Sequence, residues 1–327
     1  MIALFKQKSP ANIIILLIFG LLIKMPMFLY PKNIQATQQD GKLYHFLLSG
    51  LPAQNGFVCS AMAFLLLYVQ ALLLNYLINE QRLTNRQTYL PAMAFLLITS
   101  LFSEWSYFSA PLIASALIIW IFIKLFKLYN AESANGIIYN IGLILGIGSF
   151  IFFPSIAFVF CVLLGVMILR PFRINDIVIL LFGALTPYYF YAVYLFLTDR
   201  FVPAALLPQV NLQIPVLQNT LWLAIAVVLL GAPFLMGGYY IQTLLRKMLI
   251  QVRKNWSIML LFLLLALAVP FISATNSLHN WLFAAAPFAT FHSCAYLYPK
   301  RQWVSFTLFF LTLAFIITQQ YILHNWQ

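Results

Sequence analysis

PKNIQATQQDGKLYHFLLSGLPAQNG, residues 31–56, separates two apolar runs long enough to cross a bilayer and is the longest polar gap in the first half of the chain. It places Asp40, Lys42 and His45 within six residues of one another. The chain around it has 327 residues, is 64% hydrophobic and 7% charged, and has a mean hydropathy of +0.95. A soluble domain carries about a quarter charged residues, so this composition excludes one. Apolar runs near the roughly 20 residues needed to span hydrocarbon recur from end to end. They are apolar on every side, whereas barrel strands alternate over about ten positions. The expected fold is therefore all-α, a polytopic helical membrane protein forming a single integral membrane domain over 1–327.

The pattern predicts eleven spans, at 11–30, 57–79, 89–103, 107–123, 137–153, 155–169, 177–197, 219–243, 257–273, 281–298 and 303–322. Basic residues orient them, because Lys and Arg concentrate in cytoplasmic loops. With a cytoplasmic N-terminus, the inside receives Lys6 and Lys8, Arg82 and Arg86, Lys124 and Lys127, Arg170 and Arg173, the Arg246–Lys254 cluster, and Lys300 and Arg301. The outside receives Lys32, Lys42 and Arg200. The formal net charge of +12 thus follows from membrane orientation, and no nucleic-acid partner is expected. Lys24 and Pro26, in place of a small-residue cleavage site, mark the first run as a retained helix.

Lys24 lies about 9 Å from the outer end of the first span, within reach of the interface by snorkelling; the competing reading is a cation facing a cavity. Glu80, Glu132 and Asp176 fall inside and read as solvated loop charges, whereas Asp40, Glu104 and Asp199 fall in outer gaps. Cys59, Cys161 and Cys294 are far apart within apolar runs and form no metal spacing. His292 is expected as a hydrogen-bonded packing residue, and His279 and His324 as interfacial ones. Tyr188, Tyr189, Tyr191 and Tyr194 cluster at the outer end of the seventh span, as an interfacial belt or a sugar-stacking wall.

In the first outer loop, Leu43, Phe46, Leu47 and Leu51 share one helical face, with Asp40, Lys42, His45 and Ser49 elsewhere. This predicts a short amphipathic helix lying on the outer leaflet, ended by Pro52 and Gly56. Thr37-Gln38-Gln39-Asp40 matches a capping box, which would put Asp40 in the first helical turn, where an acid complements the helix dipole.

An acid in the first outer loop followed by an interfacial helix resembles the C superfamily of membrane glycosyltransferases (GT-C). TYLPAMAFLLITSLFSEWSYFSAPLIASALIIWIFIKLFK, residues 88–127, resembles that superfamily's helix pair around an acidic turn, here carrying Glu104. GLILGIGSFIFFPSIAFVFCVLLGVMILRPFRINDIVILLFGALTPYYF, residues 142–190, is similar to its next unit. The resemblance covers residues 1–200 as a GT-C-like core, with 201–327 as additional transmembrane helices. It departs from the superfamily in carrying a lone Asp in the first loop, where a paired acidic motif is usual. The whole chain also resembles a family of polytopic membrane proteins of Bacteroidota, which implies a multi-pass protein of the bacterial inner membrane and no particular activity.

The superfamily resemblance implies a sugar transferred from a polyprenyl-phosphate-linked donor on the extracytoplasmic face. In that reading Asp40 is the catalytic base, and Glu104 binds the acceptor or, with Asp40, a Mg2+ or Mn2+ ion. Lys42 and Arg200 hold the donor phosphate. His45, about half a turn from Asp40, is a further substrate-side candidate whose simpler place is the interface. Membrane lipid is the implied partner in any case. The competing reading is a non-catalytic GT-C-like subunit for envelope assembly or secretion, working with other membrane proteins. A transporter or flippase ranks last, because it needs polar residues near mid-span and the chain offers little beyond Lys24.

Overall fold

The computed structural model describes residues 2–31, 40–50, 56–129, 131, 133–201, 220–272 and 277–322. Lys32, Thr37, Leu51, Pro52, Glu132, His324 and the outer gap beyond Phe201 lie outside the described residues. In a run of Leu, Ile, Phe and Val nothing but the backbone can satisfy the backbone, and the helix is the local solution. The helices are α1 (Ile2–Phe5), α2 (Ala11–Ile23), α3 (Pro26–Leu29), α4 (Lys42–Ser49), α5 (Gly56–Glu80), α6 (Leu90–Ile98) and α7 (Ala110–Phe126). They continue as α8 (Asn135–Ile151), α9 (Phe158–Leu169), α10 (Ile174–Leu197), α11 (Thr220–Leu245), α12 (Ile250–Ala268), α13 (Ala285–Leu297) and α14 (Gln302–Ile317). Among the described residues the only β-type pairing is an isolated bridge between Asp40 and Phe152.

Five of these segments, at Gly56–Glu80, Ile174–Leu197, Leu221–Leu245, Ile250–Ile272 and Gln302–Tyr321, are long and apolar enough to cross a membrane. Every other expected run is also helical but shorter. The run at 89–103 is helical only to Ile98, and beyond it Thr99 and Ser100 turn their hydroxyls back onto the Phe95 and Leu96 carbonyls. The run at 281–298 begins as a 3-10 turn, Leu278–Ala284, before α13.

The centre is built from the short helices. All nine residues of α6 are buried, as are all but Phe288 and Leu297 of α13, and the two pack on each other. α5 covers α6, and α11 covers α13. His292 fits its expected packing role: its Nε2 lies 2.9 Å from the Leu230 carbonyl. That carbonyl is next to the one of Leu229, whose helical donor is missing because Pro233 has no N–H.

α10 is mostly exposed and leans chiefly on α8. The contact is made by backbone against backbone. A Cβ on Gly142 would meet the Leu180 carbonyl, one on Gly146 the Ala184 carbonyl, and one on Gly183 the Tyr139 carbonyl. Such small-residue contacts associate helices in lipid, where no hydrophobic gain separates one apolar neighbour from another.

The connections sort to two ends of the bundle. At one end, Tyr89 N–H bonds the Phe5 carbonyl, Lys8 reaches Gln87, and Gln251 and Asn255 reach Gln81. There too, Asn85 N–H reaches Tyr298 and Arg170 reaches the Ala131 carbonyl. Asp176, expected as a solvated charge, is instead buried in the first turn of α10 with Arg170 at 3.5 Å. A buried carboxylate needs such a partner. The segments around Asp40 and Glu104 meet at the opposite end, through Tyr44 and Phe108.

Gly183→Ala is expected to destabilise the detergent-solubilised protein by about 1–3 kcal/mol, read as a lowered thermal midpoint. Gly136, whose Cβ position is open, is the control: Gly136→Ala leaves the midpoint unchanged or slightly raised.

Candidate functional site

Asp40 is fixed through its backbone. α8 ends at Ile151, and a helix end leaves carbonyls without intrahelical partners. The Ile151 carbonyl accepts the Gly41 N–H at 2.8 Å, the neighbouring bond that accompanies the Asp40–Phe152 bridge. The two backbones are so close that a Cβ on Gly41 would fall on the Phe150 carbonyl. Gly41, extended at φ −67° and ψ 157°, is then the N-cap of α4. Asp40 therefore stands just outside α4, half-buried, and the expectation of an acid in the first helical turn is corrected. The long-range bridge to Phe152 decides where the helix begins.

α4 itself forms as expected over Lys42–Ser49, and Ser49 closes it with a hydroxyl bond to the Phe46 carbonyl. It docks on the protein through a face centred on Tyr44, beside the Leu43–Phe46–Leu47 stripe. Tyr44 is 1% exposed and stacks on Phe108 at 6.2 Å between ring centroids, with Leu43 and Leu48 half-buried beside it. Phe46 is 74% exposed and Leu47 40%. The helix thus has one face for the protein and a second apolar face turned away from it. Tyr44 brings a ring that stacks on Phe108 and a hydroxyl that faces its carbonyl, the second of which Phe46 lacks.

Tyr44 is the residue that sequence reading missed. Its hydroxyl lies 3.5 Å from the Phe108 carbonyl. Burial drives its phenol well above its usual range, and the nearby Asp40 carboxylate pushes in the same direction. Tyr44 therefore sits within the field of the first-loop acid while touching the second outer turn. The signal available in the sequence was a Tyr at i+4 from Asp40, one residue off the apolar stripe.

Glu104 lies in that second turn, in the 3-10 segment Ser103–Ser106, with one carboxylate oxygen enclosed. Trp105 anchors the segment: its indole N–H donates to the Leu278 carbonyl at 2.7 Å, and its ring packs on Phe102 at 4.7 Å. Ser106, which follows, is buried.

Lys42 and Arg200 are not brought together. The Lys42 ammonium is 2.7 Å from the Tyr191 hydroxyl and 4.8 Å from that ring's centre. The shorter distance puts it at the phenol edge as a hydrogen-bond donor; a cation over the ring face would be far from the hydroxyl. Arg200 is exposed beyond α10, nine residues or about 13 Å along the axis from Tyr191. Its N–H bonds the Leu195 carbonyl and that of Asp199 bonds the Phe196 carbonyl, with Asp199 at φ 54°. This is a Schellman cap, which gives Asp199 a structural role. His45 is exposed on α4.

Of the four expected tyrosines, Tyr188 turns inward to Ser149 at 2.6 Å and Tyr191 packs on Phe150, whereas Tyr189 and Tyr194 are exposed. Lys24 does not snorkel. It is 1% exposed, with its ammonium 2.9 Å from the Ser106 hydroxyl and 3.2 Å from the Thr99 carbonyl.

Among the described residues no three His, Cys, Asp or Glu side chains come together. Asp40 and Glu104 could offer oxygen ligands to a Mg2+ ion that keeps most of its shell in water and phosphate, but they build no protein cage. No family model, curated protein or solved structure matches the chain.

Gly41→Ala is expected to free α4 from the end of α8. Limited proteolysis of the solubilised protein then gives faster cleavage around residues 41–50, while the thermal midpoint of the bundle stays close to wild type.

Proposed function

We propose that the protein is a multi-pass enzyme of the bacterial inner membrane, with eleven spans and a cytoplasmic N-terminus, that transfers a sugar from a polyprenyl-phosphate-linked donor on the outer face. The observation that supports this reading most is the joining of the two acid-bearing outer segments through Tyr44. That side chain lies in the field of Asp40 and stacks on Phe108, four residues from Glu104. Its helix turns Phe46 and Leu47 outward, which suits an outer leaflet through which a lipid tail would enter.

In this mechanism the Asp40 carboxylate accepts the proton of the acceptor hydroxyl. The resulting oxygen attacks the anomeric carbon. The bond from that carbon to the phosphate oxygen breaks, and the electron pair leaves with polyprenyl phosphate. A bridge-anchored backbone suits a base, because its carboxylate must be held in reach of one proton. Lys42, two residues from Asp40, is the nearer cation for the donor phosphate; its bond to Tyr191 is made at the surface and exchanges readily for a phosphate oxygen. Glu104 orients the acceptor. A Mg2+ ion bound by the two acids would screen the phosphate charge.

Native mass spectrometry of protein extracted from its own membranes tests this reading. A retained lipid with the mass of a polyprenyl phosphate sugar is expected. Asp40→Asn keeps that lipid bound but no longer releases its sugar to acceptors present in the membrane extract. Wild-type release by Asp40→Asn, or the absence of any such lipid, would sink the proposal.

A further inference from the structure

Lys24 is the one cation enclosed where the first span meets the second outer turn, and the function proposed above makes no use of it. The need for it can be read from α6. Nine residues rise about 13 Å, less than half of the roughly 30 Å hydrocarbon thickness, whereas the seventeen of α7 rise about 25 Å. Residues 99–109, irregular apart from the single 3-10 turn Ser103–Ser106, make up the difference inside the bundle. At that depth each backbone polar group must find a partner within the protein.

The partners can be counted. The Phe95 and Leu96 carbonyls take the Thr99 and Ser100 hydroxyls. The Leu97 and Ile98 carbonyls take the N–H groups of Ser100 and Leu101. The Ser100 carbonyl takes the Gln320 amide from the far end of the chain. The Thr99 carbonyl takes the Lys24 ammonium and, at 3.3 Å, the Ser106 hydroxyl. Lys24 also reaches Ser106 directly. One ammonium therefore grips residues 99 and 106, the two ends of the loop that holds Glu104. An ammonium suits this place because it brings three donors and a positive charge to the negative end of a helix.

We infer that Lys24 is the positioning residue of the Glu104 turn, closing the 99–106 loop from the first span. A Ser–Lys nucleophile pair is the alternative chemistry for two such groups. It is excluded by enclosure: Ser106 is 4% exposed, and its oxygen is engaged by Lys24 on one side and the Thr99 carbonyl on the other. The functional weight of the inference rests on Glu104 belonging to the site, but its structural content does not.

Hydrogen exchange of the full chain in detergent tests it. Lys24→Met, similar in length but without donors, is expected to raise amide exchange in residues 99–107 by about tenfold, with α8 and α10 unchanged. Lys24→Arg, which keeps the cation and its donors, restores protection. Ser106→Ala, a milder change, loosens only 103–107. Wild-type exchange in Lys24→Met, no recovery in Lys24→Arg, or loosening spread evenly over the bundle would each overturn the inference. Should Lys24→Met fail to accumulate, Ser106→Ala decides it by the same local readout. Asp40→Asn leaves this pattern untouched, so failure of the proposed base and failure of the cap are read separately.

Discussion

A helix that stops inside an apolar bundle leaves carbonyls that no water can reach, and the end of the bundle that carries Asp40 and Glu104 is organised by how those carbonyls are satisfied. Three helices meet the requirement in three ways. α6 takes side chains from distant segments, Lys24 and Gln320. α8 takes a backbone N–H from Gly41. α10, which ends in the open, closes on itself through Asp199. The first two solutions fix the two acid-bearing segments. Asp40 is held because α8 needs a donor, and the Glu104 turn is held because α6 does.

Close backbone approach is the second constraint, and it links the site to the bundle's flank. Gly142, Gly146 and Gly183 let α10 lie directly on α8. That contact brings Tyr188 and Tyr191 against Phe150, in the last turn of α8 and beside the carbonyl that excludes a side chain at Gly41. Lys42 then meets Tyr191 because both are referred to the same short stretch, Phe150–Phe152. The geometry around Asp40 thus depends on glycines well below it on α8 and α10.

The helices and their order were legible in the sequence because hydropathy and length act locally, and each expected apolar run is helical. What was not legible depends on partners far along the chain. Thr37-Gln38-Gln39-Asp40 has the form of a capping box, but the bridge to Phe152, more than a hundred residues away, leaves Asp40 outside the helix. Lys24 stands close enough to the interface for snorkelling on distance alone; that α6 would end at Ile98 and demand a cation is a fact about its neighbours. The clue lay in Thr99, Ser100, Ser103 and Ser106, four hydroxyls in eight residues, a density that marks broken helix. The apolar stripe of α4 was legible as a pattern, and its Phe46 and Leu47 stay turned away from the protein; the second apolar face, centred on Tyr44, was not legible. With two apolar faces available, the one bearing a hydroxyl turned inward.

The separation of roles among the cations follows from the same physics. A lysine enclosed among neutral acceptors, as Lys24 is, costs several kcal/mol to keep charged in hydrocarbon, and that cost is offset only if the groups it holds would otherwise be unsatisfied. Moving it would leave the Thr99 carbonyl only the longer bond from Ser106 and would release the tie between residues 99 and 106, so Lys24 is well suited to hold a loop. Lys42 is the opposite case. Its bond to Tyr191 is at the surface, water can replace either partner, and exchanging the phenol for a phosphate oxygen gains a full charge interaction. The cation free to trade partners is therefore the one beside Asp40, and the cation that cannot is the one beneath Glu104.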